Sequence, residues 1–248
     1  MFNLVRNENM KIYKKVQTWV MVGLLLFMQL VMALFVKDSG FTWLTFADLS
    51  SYLTSIIAIY AIVVASGIVA SEFSNGTIKL LLIRPFSRTK ILTSKYIAVL
   101  IYIVFLILFN LISSIIIGFL FFGNATSNSE FSLGSILQNY GFTSIELIMT
   151  ITFSFMISSI FRSSVLSIIL SIIIHFFSST VVSFLSLLNY QFGKYFLYSN
   201  TDLRQYLNGN EPKFEGMSLG FSITVLIVYF ILFILISQYV FKKRDVVV

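Results

Sequence analysis

The chain has 248 residues, of which 58% are hydrophobic and only 11% charged, against about 25% charged in a soluble domain. This imbalance excludes a soluble globular enzyme and marks an integral membrane protein. The net charge of +7 is not a nucleic-acid signal, because the basic residues flank apolar runs, where membrane topology and anionic lipid account for them. Cysteine is absent, which removes disulfides, thiol catalysis and zinc-thiolate sites.

In chain order, residues 3–17 read as an N-terminal interfacial amphipathic helix. Val5, Ile12, Val16 and Trp19 fall near one helical face, with Lys11, Lys14 and Lys15 largely off it, as suits a helix lying on a membrane surface. A plain basic flank that only sets topology is the alternative. Six apolar runs follow, at 18–36, 52–70, 96–122, 142–161, 165–188 and 219–241, each long enough to cross about 30 Å of hydrocarbon. The first is longer than a signal-peptide core and reads as a retained helix. The third is long enough to tilt or to extend past the bilayer. Arg162 divides what would otherwise be one run from Phe142 to Leu188.

The fold class is therefore an all-α membrane protein with six transmembrane helices in a single domain, 1–248. With the N-terminus inside, 13 of the 17 basic residues fall on the cytoplasmic side, and only Lys37, Lys194, Arg204 and Lys213 fall outside. The positive-inside rule then places both termini in the cytoplasm. Two outer segments have some length. Gly123 to Gly141 is polar. Asn189 to Ser218 carries Tyr190, Phe192, Tyr195, Phe196, Tyr198 and Tyr206, aromatics suited to the membrane–water boundary. This second segment reads either as a cap on the bundle or as a substrate-facing gate.

The most patterned stretch is 72–95, EFSNGTIKLLLIRPFSRTKILTSK, with Lys79, Arg84, Arg88, Lys90 and Lys95 against the single acid Glu72. Gly76 and Thr77 supply a turn and a helix cap. The run through Leu80, Leu81 and Leu82 can bury in a groove, and Pro85 prevents a smooth helix. This order of an acid, Gly-Thr, leucines, Arg-Pro and Arg-x-Lys resembles the cytoplasmic loop of ABC-2 type transporter permeases. The remainder is similar more loosely, in its six spans, interfacial helix, tight turn at 158–164 and basic tail. The short outer loops look most like permeases of Gram-positive bacteria that serve antimicrobial-peptide resistance or export. The resemblance implies a type V exporter-like bundle in the plasma membrane. It implies a dimer with a second permease copy or paralogue, with spans one and five near the seam. It also implies two copies of a separate ABC ATPase that bind ATP and Mg, leaving this chain without a cofactor. Glu72, Gly76, Thr77, Leu81, Arg84, Pro85, Arg88 and Lys90 then form the ATPase-coupling element. Topology alone, or lipid phosphate binding by Arg84, Arg88 and Lys90, are the competing readings.

Ionisable residues within spans are costly and therefore informative. Glu146, about one turn into the fourth span, could bind a cationic substrate group or a proton, or reach the nearby interface and pair with solvent. The single histidine, His175, could relay protons or hydrogen-bond to a neighbouring helix. Ser163, Ser167, Ser171, His175, Ser179 and Ser183 recur every four residues. At 3.6 residues per turn such a row winds around the helix by about 40° each step. Ser167, Ser171, His175, Ser179 and Glu146 are thus candidates for a translocation path or a dimer interface. Ala61 with Ala65, and Ser66 with Ala70, suit close helix packing, within the bundle or across a dimer. No phosphate-binding Gly-x4-Gly-Lys-Ser/Thr loop, His-Glu-x-x-His or Gly-x-Ser-x-Gly motif is present, and no metal site or nucleic-acid partner is expected. Two functions stay open. The first is a non-enzymatic exporter subunit carrying a hydrophobic or amphipathic peptide. The second is a membrane sensor that signals through a partner bound at 72–95.

Overall fold

The computed structural model describes residues 1–77, 86–123, 132–161, 163–207 and 212–243. Within them the chain is all-helical: α1 (Phe2–Tyr13), α2 (Val16–Phe35), α3 (Trp43–Ser50), α4 (Thr54–Ser74), α5 (Arg88–Phe122), α6 (Leu133–Ile160), α7 (Ser164–Leu187), a short α8 (Leu197–Asn200) and α9 (Leu219–Lys243). Six of these segments are long and apolar enough to cross a membrane, with α3 and α4 counted as one through the 3-10 turn Ser51–Leu53.

Several helices start earlier than the hydropathy runs. α5 begins at Arg88 and not near Tyr96, because Ser87 caps it: the Ser87 Oγ accepts the Lys90 amide. At 35 residues and 1.5 Å per residue, α5 is roughly 52 Å long. α6 begins at Leu133, where Ser132 and Ser135 form a reciprocal capping box. Half of the expected polar loop 123–141 is therefore helix, and Glu146 lies more than three turns into α6, not one. Residues 124–131 fall outside the described residues.

The N-terminal helix also differs. It ends at Tyr13, and Lys15 is extended (φ −73°, ψ 131°). Val16 and Trp19 therefore belong to α2, where both are exposed. The buried face of α1 is Leu4, Glu8 and Ile12, an i, i+4, i+8 row. It packs on α5, with Tyr13 edge-on to Tyr102 and Phe105.

α6 is the central helix. Its apolar window is 67% buried, against 17% for α7 and for α9. The small residues of α4 work within the chain: Ala61, Ala65, Ser66 and Ala70 are fully buried. They let α6 come close enough for the Ser158 Oγ to accept from the Val69 and Ala70 amides at 3.2 and 3.0 Å. They let α7 come close enough for Ser66 and Ser171 to share a 3.0 Å hydroxyl bond. In a medium without water these contacts replace the hydrophobic drive between helices.

A second polar knot, equally buried, ties α2, α3, α5 and α6. Gln29 of α2 donates to the side-chain and backbone oxygens of Asn110 in α5. The Asn110 amide donates in turn to the Ser50 carbonyl of α3 and the Tyr140 hydroxyl of α6. The segment after α7 folds as a cap of short helices, Gln191–Tyr195, Leu197–Asn200 and Leu203–Tyr206, with Leu197, Asn200 and Leu203 buried.

Candidate functional site

The charged centre of the molecule sits where α1, α4 and α5 meet. Lys95 is 1% exposed, and an unpaired charge at that burial would be prohibitively costly. Its Nζ is 2.8 Å from Glu72 Oε1 and 2.9 Å from Glu8 Oε2. Lys11 closes the cluster, 2.8 Å from Glu8 and 3.4 Å from Glu72. Two carboxylates and two ammonium groups thus balance. Burial alone would lower the Lys11 pKa, but hydrogen bonding and attraction to Glu8, with that to Glu72, hold it above the ordinary lysine value.

A cavity of about 390 Å³ opens beside this cluster, lined among others by Lys15, Ser71, Asn75 and Thr77. Local sequence builds it. α4 stops at Ser74 because Gly76 takes a left-handed φ of 69°, which glycine adopts at no steric cost. Thr77 then turns back to hydrogen-bond the Glu72 carboxylate.

Of the residues expected to couple to a partner, Glu72 faces inward into this cluster, and Gly76 and Thr77 form the turn that follows it. Arg88 and Lys90 occupy the first turn of α5, with the Arg88 guanidinium donating to the Lys242 carbonyl at the end of α9. Leu81, Arg84 and Pro85 lie outside the described residues. Glu8 and Lys95 were missed as site residues. The signal was available, since Glu8 falls in the apolar row of α1 between Leu4 and Ile12.

At the opposite end of the bundle Glu146 and His175 come together. They share the walls of two cavities, of about 260 and 250 Å³. The Glu146 Oε2 lies 3.8 Å from an Arg204 Nη, while the Arg204 Nε is bound to Asp202 at 2.7 Å. His175 stands edge-on to Tyr198, and its Nδ1 has no hydrogen-bond partner among the described residues. Among the described residues the contact that the neighbouring short helix α8 makes with His175 is thus the Tyr198 ring. The serine row of α7 does wind: Ser167 and Ser171 are buried, whereas Ser179 is exposed. Among the described residues no three His, Cys, Asp or Glu side chains gather as a metal site.

Comparison with known proteins places this architecture. A family model described as "Protein of unknown function (DUF2705)" matches residues 27–247, nearly the whole helical bundle. The chain belongs to the DUF2705 family. It is 36% identical over 244 residues to the "Uncharacterized membrane protein YdbK" of Bacillus subtilis (strain 168), covering 96% of this chain and 99% of that protein. It is also 36% identical over 224 residues to the "Uncharacterized protein YhcI" of the same organism, covering 85% of this chain and 71% of that protein. With six membrane-length helices and a relative named as a membrane protein, this DUF2705 chain is a multi-pass membrane protein.

Proposed function

We propose that the chain is the transmembrane permease subunit of an ATP-binding-cassette exporter of the ABC-2 type, moving a hydrophobic or amphipathic substrate, a peptide or antimicrobial, out across the plasma membrane. Both termini lie in the cytoplasm. A separate ATPase, in two copies, docks at 72–95 and supplies the hydrolysis, and a second permease copy or paralogue completes the dimer.

One observation carries this reading beyond the motif resemblance. The two ends of the 72–95 segment are pinned to each other by the Glu72–Lys95 pair, and both are pinned to α1 through Glu8 and Lys11. A load applied to the residues between is delivered to α1, α4 and α5 together. A transmission loop needs that stiffness at its base, whereas a topology-setting charge run does not.

The test is co-purification from gently solubilised native membranes. An ABC ATPase should accompany the wild type and be lost from Arg84→Glu/Lys90→Glu, which leaves the buried cluster intact. ATP-dependent flux in vesicles containing both chains should then vanish when the partner lacks its catalytic Glu. Retention of a non-ATPase partner at the same loop, without flux, would favour the alternative: a membrane sensor that signals through that partner.

A further inference from the structure

The paired cavities around Glu146 and His175 have a consistent chemistry. Four of their hydroxyl groups donate to nearby backbone carbonyls: Ser55 to that of Tyr52, Thr143 to Asn139, Ser178 to His175 and Thr54 to Ser51. What these four hydroxyls have left to offer is lone pairs. The Thr150 hydroxyl, on a residue 1% exposed that lines the larger cavity, the Tyr198 hydroxyl near it and the His175 Nδ1 have no partner in hydrogen-bond geometry among the described residues. Glu146 adds a carboxylate whose nearest cation among the described residues, Arg204, stays at 3.8 Å, outside hydrogen-bond distance. Arg204 is itself committed to Asp202 at 2.7 Å. Lys213 and Asp202 line the smaller cavity with Glu146, and the Lys213 charge acts on Glu146 from beyond ion-pair distance.

A carboxylate that its nearest cation leaves without a hydrogen bond, set beside these lone pairs, selects a ligand that donates to it. We propose that the Glu146–His175 cavity is a binding site for an ammonium- or guanidinium-bearing ligand. Glu146 is the counter-ion, the Thr150 and His175 acceptors take further N–H groups, and Arg204 is a tethered internal cation that the ligand displaces from Glu146. Burial strengthens each charge-assisted hydrogen bond relative to water. Arg204 stands on the short helix Leu203–Tyr206 of the cap, so its displacement requires movement of one surface side chain and leaves the bundle unchanged.

The site does not depend on ATP coupling. It would serve the cargo of an exporter or the ligand of a sensor, and its test uses this chain alone, so failure here and failure of the exporter reading are separable. The full-length protein in nanodiscs is titrated with n-butylguanidinium, its neutral isostere n-butylurea and the anion pentanoate, with saturation-transfer NMR reading each Kd. Butylguanidinium should bind saturably and the other two should not. Glu146→Gln should weaken it about tenfold or more, the scale of one lost hydrogen bond to a charge. Arg204→Gln should tighten it severalfold by removing the competitor. Should Glu146→Gln fail to fold, the Arg204→Gln shift still decides. The proposal is overturned by an unchanged Kd in Glu146→Gln, by weaker binding in Arg204→Gln, by absence of saturable binding, or by pentanoate binding that requires Arg204.

Discussion

Lys95 and Glu72 stand 23 positions apart in sequence, yet their charged atoms are 2.8 Å apart at the base of the loop they bracket. The ends of that loop form one ion-paired unit with the N-terminal helix. This geometry also explains why α1 buries a glutamate on its apolar face: Glu8 supplies the second carboxylate to a lysine with almost no access to solvent.

Removing that lysine should be expensive. Lys95→Met removes the buried counter-ion that Glu8 and Glu72 share and leaves them only the half-exposed Lys11. Breaking a buried pair from one side costs about 3–5 kcal/mol, so the unfolding midpoint in detergent should fall sharply. Adding Glu8→Gln and Glu72→Gln should recover much of the loss, because the orphaned charges disappear. A single Lys95→Met as stable as wild type would show that the cluster is not closed in the membrane.

The Asn110 knot makes a separate prediction. Asn110→Leu leaves the Gln29 amide only the backbone carbonyl of residue 110 and takes the side-chain donor from the Ser50 carbonyl and the Tyr140 hydroxyl, and each buried polar group left unpaired costs about 1–3 kcal/mol. The double variant Gln29→Leu/Asn110→Leu should be less destabilised than the sum of its parts. Strict additivity in a double-mutant cycle would mean that the two residues do not act through one another.

The six spans were legible because about 20 apolar residues in a row have few other readings, and the winding serine row of α7 followed from helical pitch alone. Helix starts were less visible. Ser87 and Ser132 cap helices well before hydropathy rises, and a cap is a single side chain, not a run. The ion cluster was hidden for another reason. Lys95 reads as one more topology charge, and only the fold reveals that it turns inward to meet a residue 87 positions earlier. Arg204 as the neighbour of Glu146 was equally invisible, since their meeting depends on how the cap folds back.

Close approach between α3 and α5 rests on Gly118. A Cβ there would meet the Trp43 carbonyl oxygen at 3.1 Å and the Trp43 Cα at 3.3 Å, next to the stack of Trp43 on Phe119 at 4.4 Å. The neighbour is backbone and cannot rotate away. Gly118→Ala should therefore destabilise by about 1–3 kcal/mol. Gly67, on α4 with nothing within 4 Å of its Cβ position, is the control. Gly67→Ala should be neutral or stabilise by up to about 1 kcal/mol through helix propensity. Equal effects at both positions would contradict the α3–α5 contact.

Orientation decides whether the 72–95 loop can meet a soluble ATPase at all, and the absence of cysteine makes it directly measurable. Lys15 and Gln191 are both exposed and stand at opposite ends of the bundle. Single Lys15→Cys and Gln191→Cys variants can be treated with a membrane-impermeant maleimide on intact cells. With basic residues held inside, Gln191→Cys should label at once and Lys15→Cys only after permeabilisation. Lys15 lines the same cavity as Glu72 and Lys95, so its side of the membrane is also theirs. Labelling of Lys15→Cys from outside would put the loop beyond reach of cytosolic ATP, and the exporter reading would fall while the ion cluster and the Glu146 cavity stood unchanged.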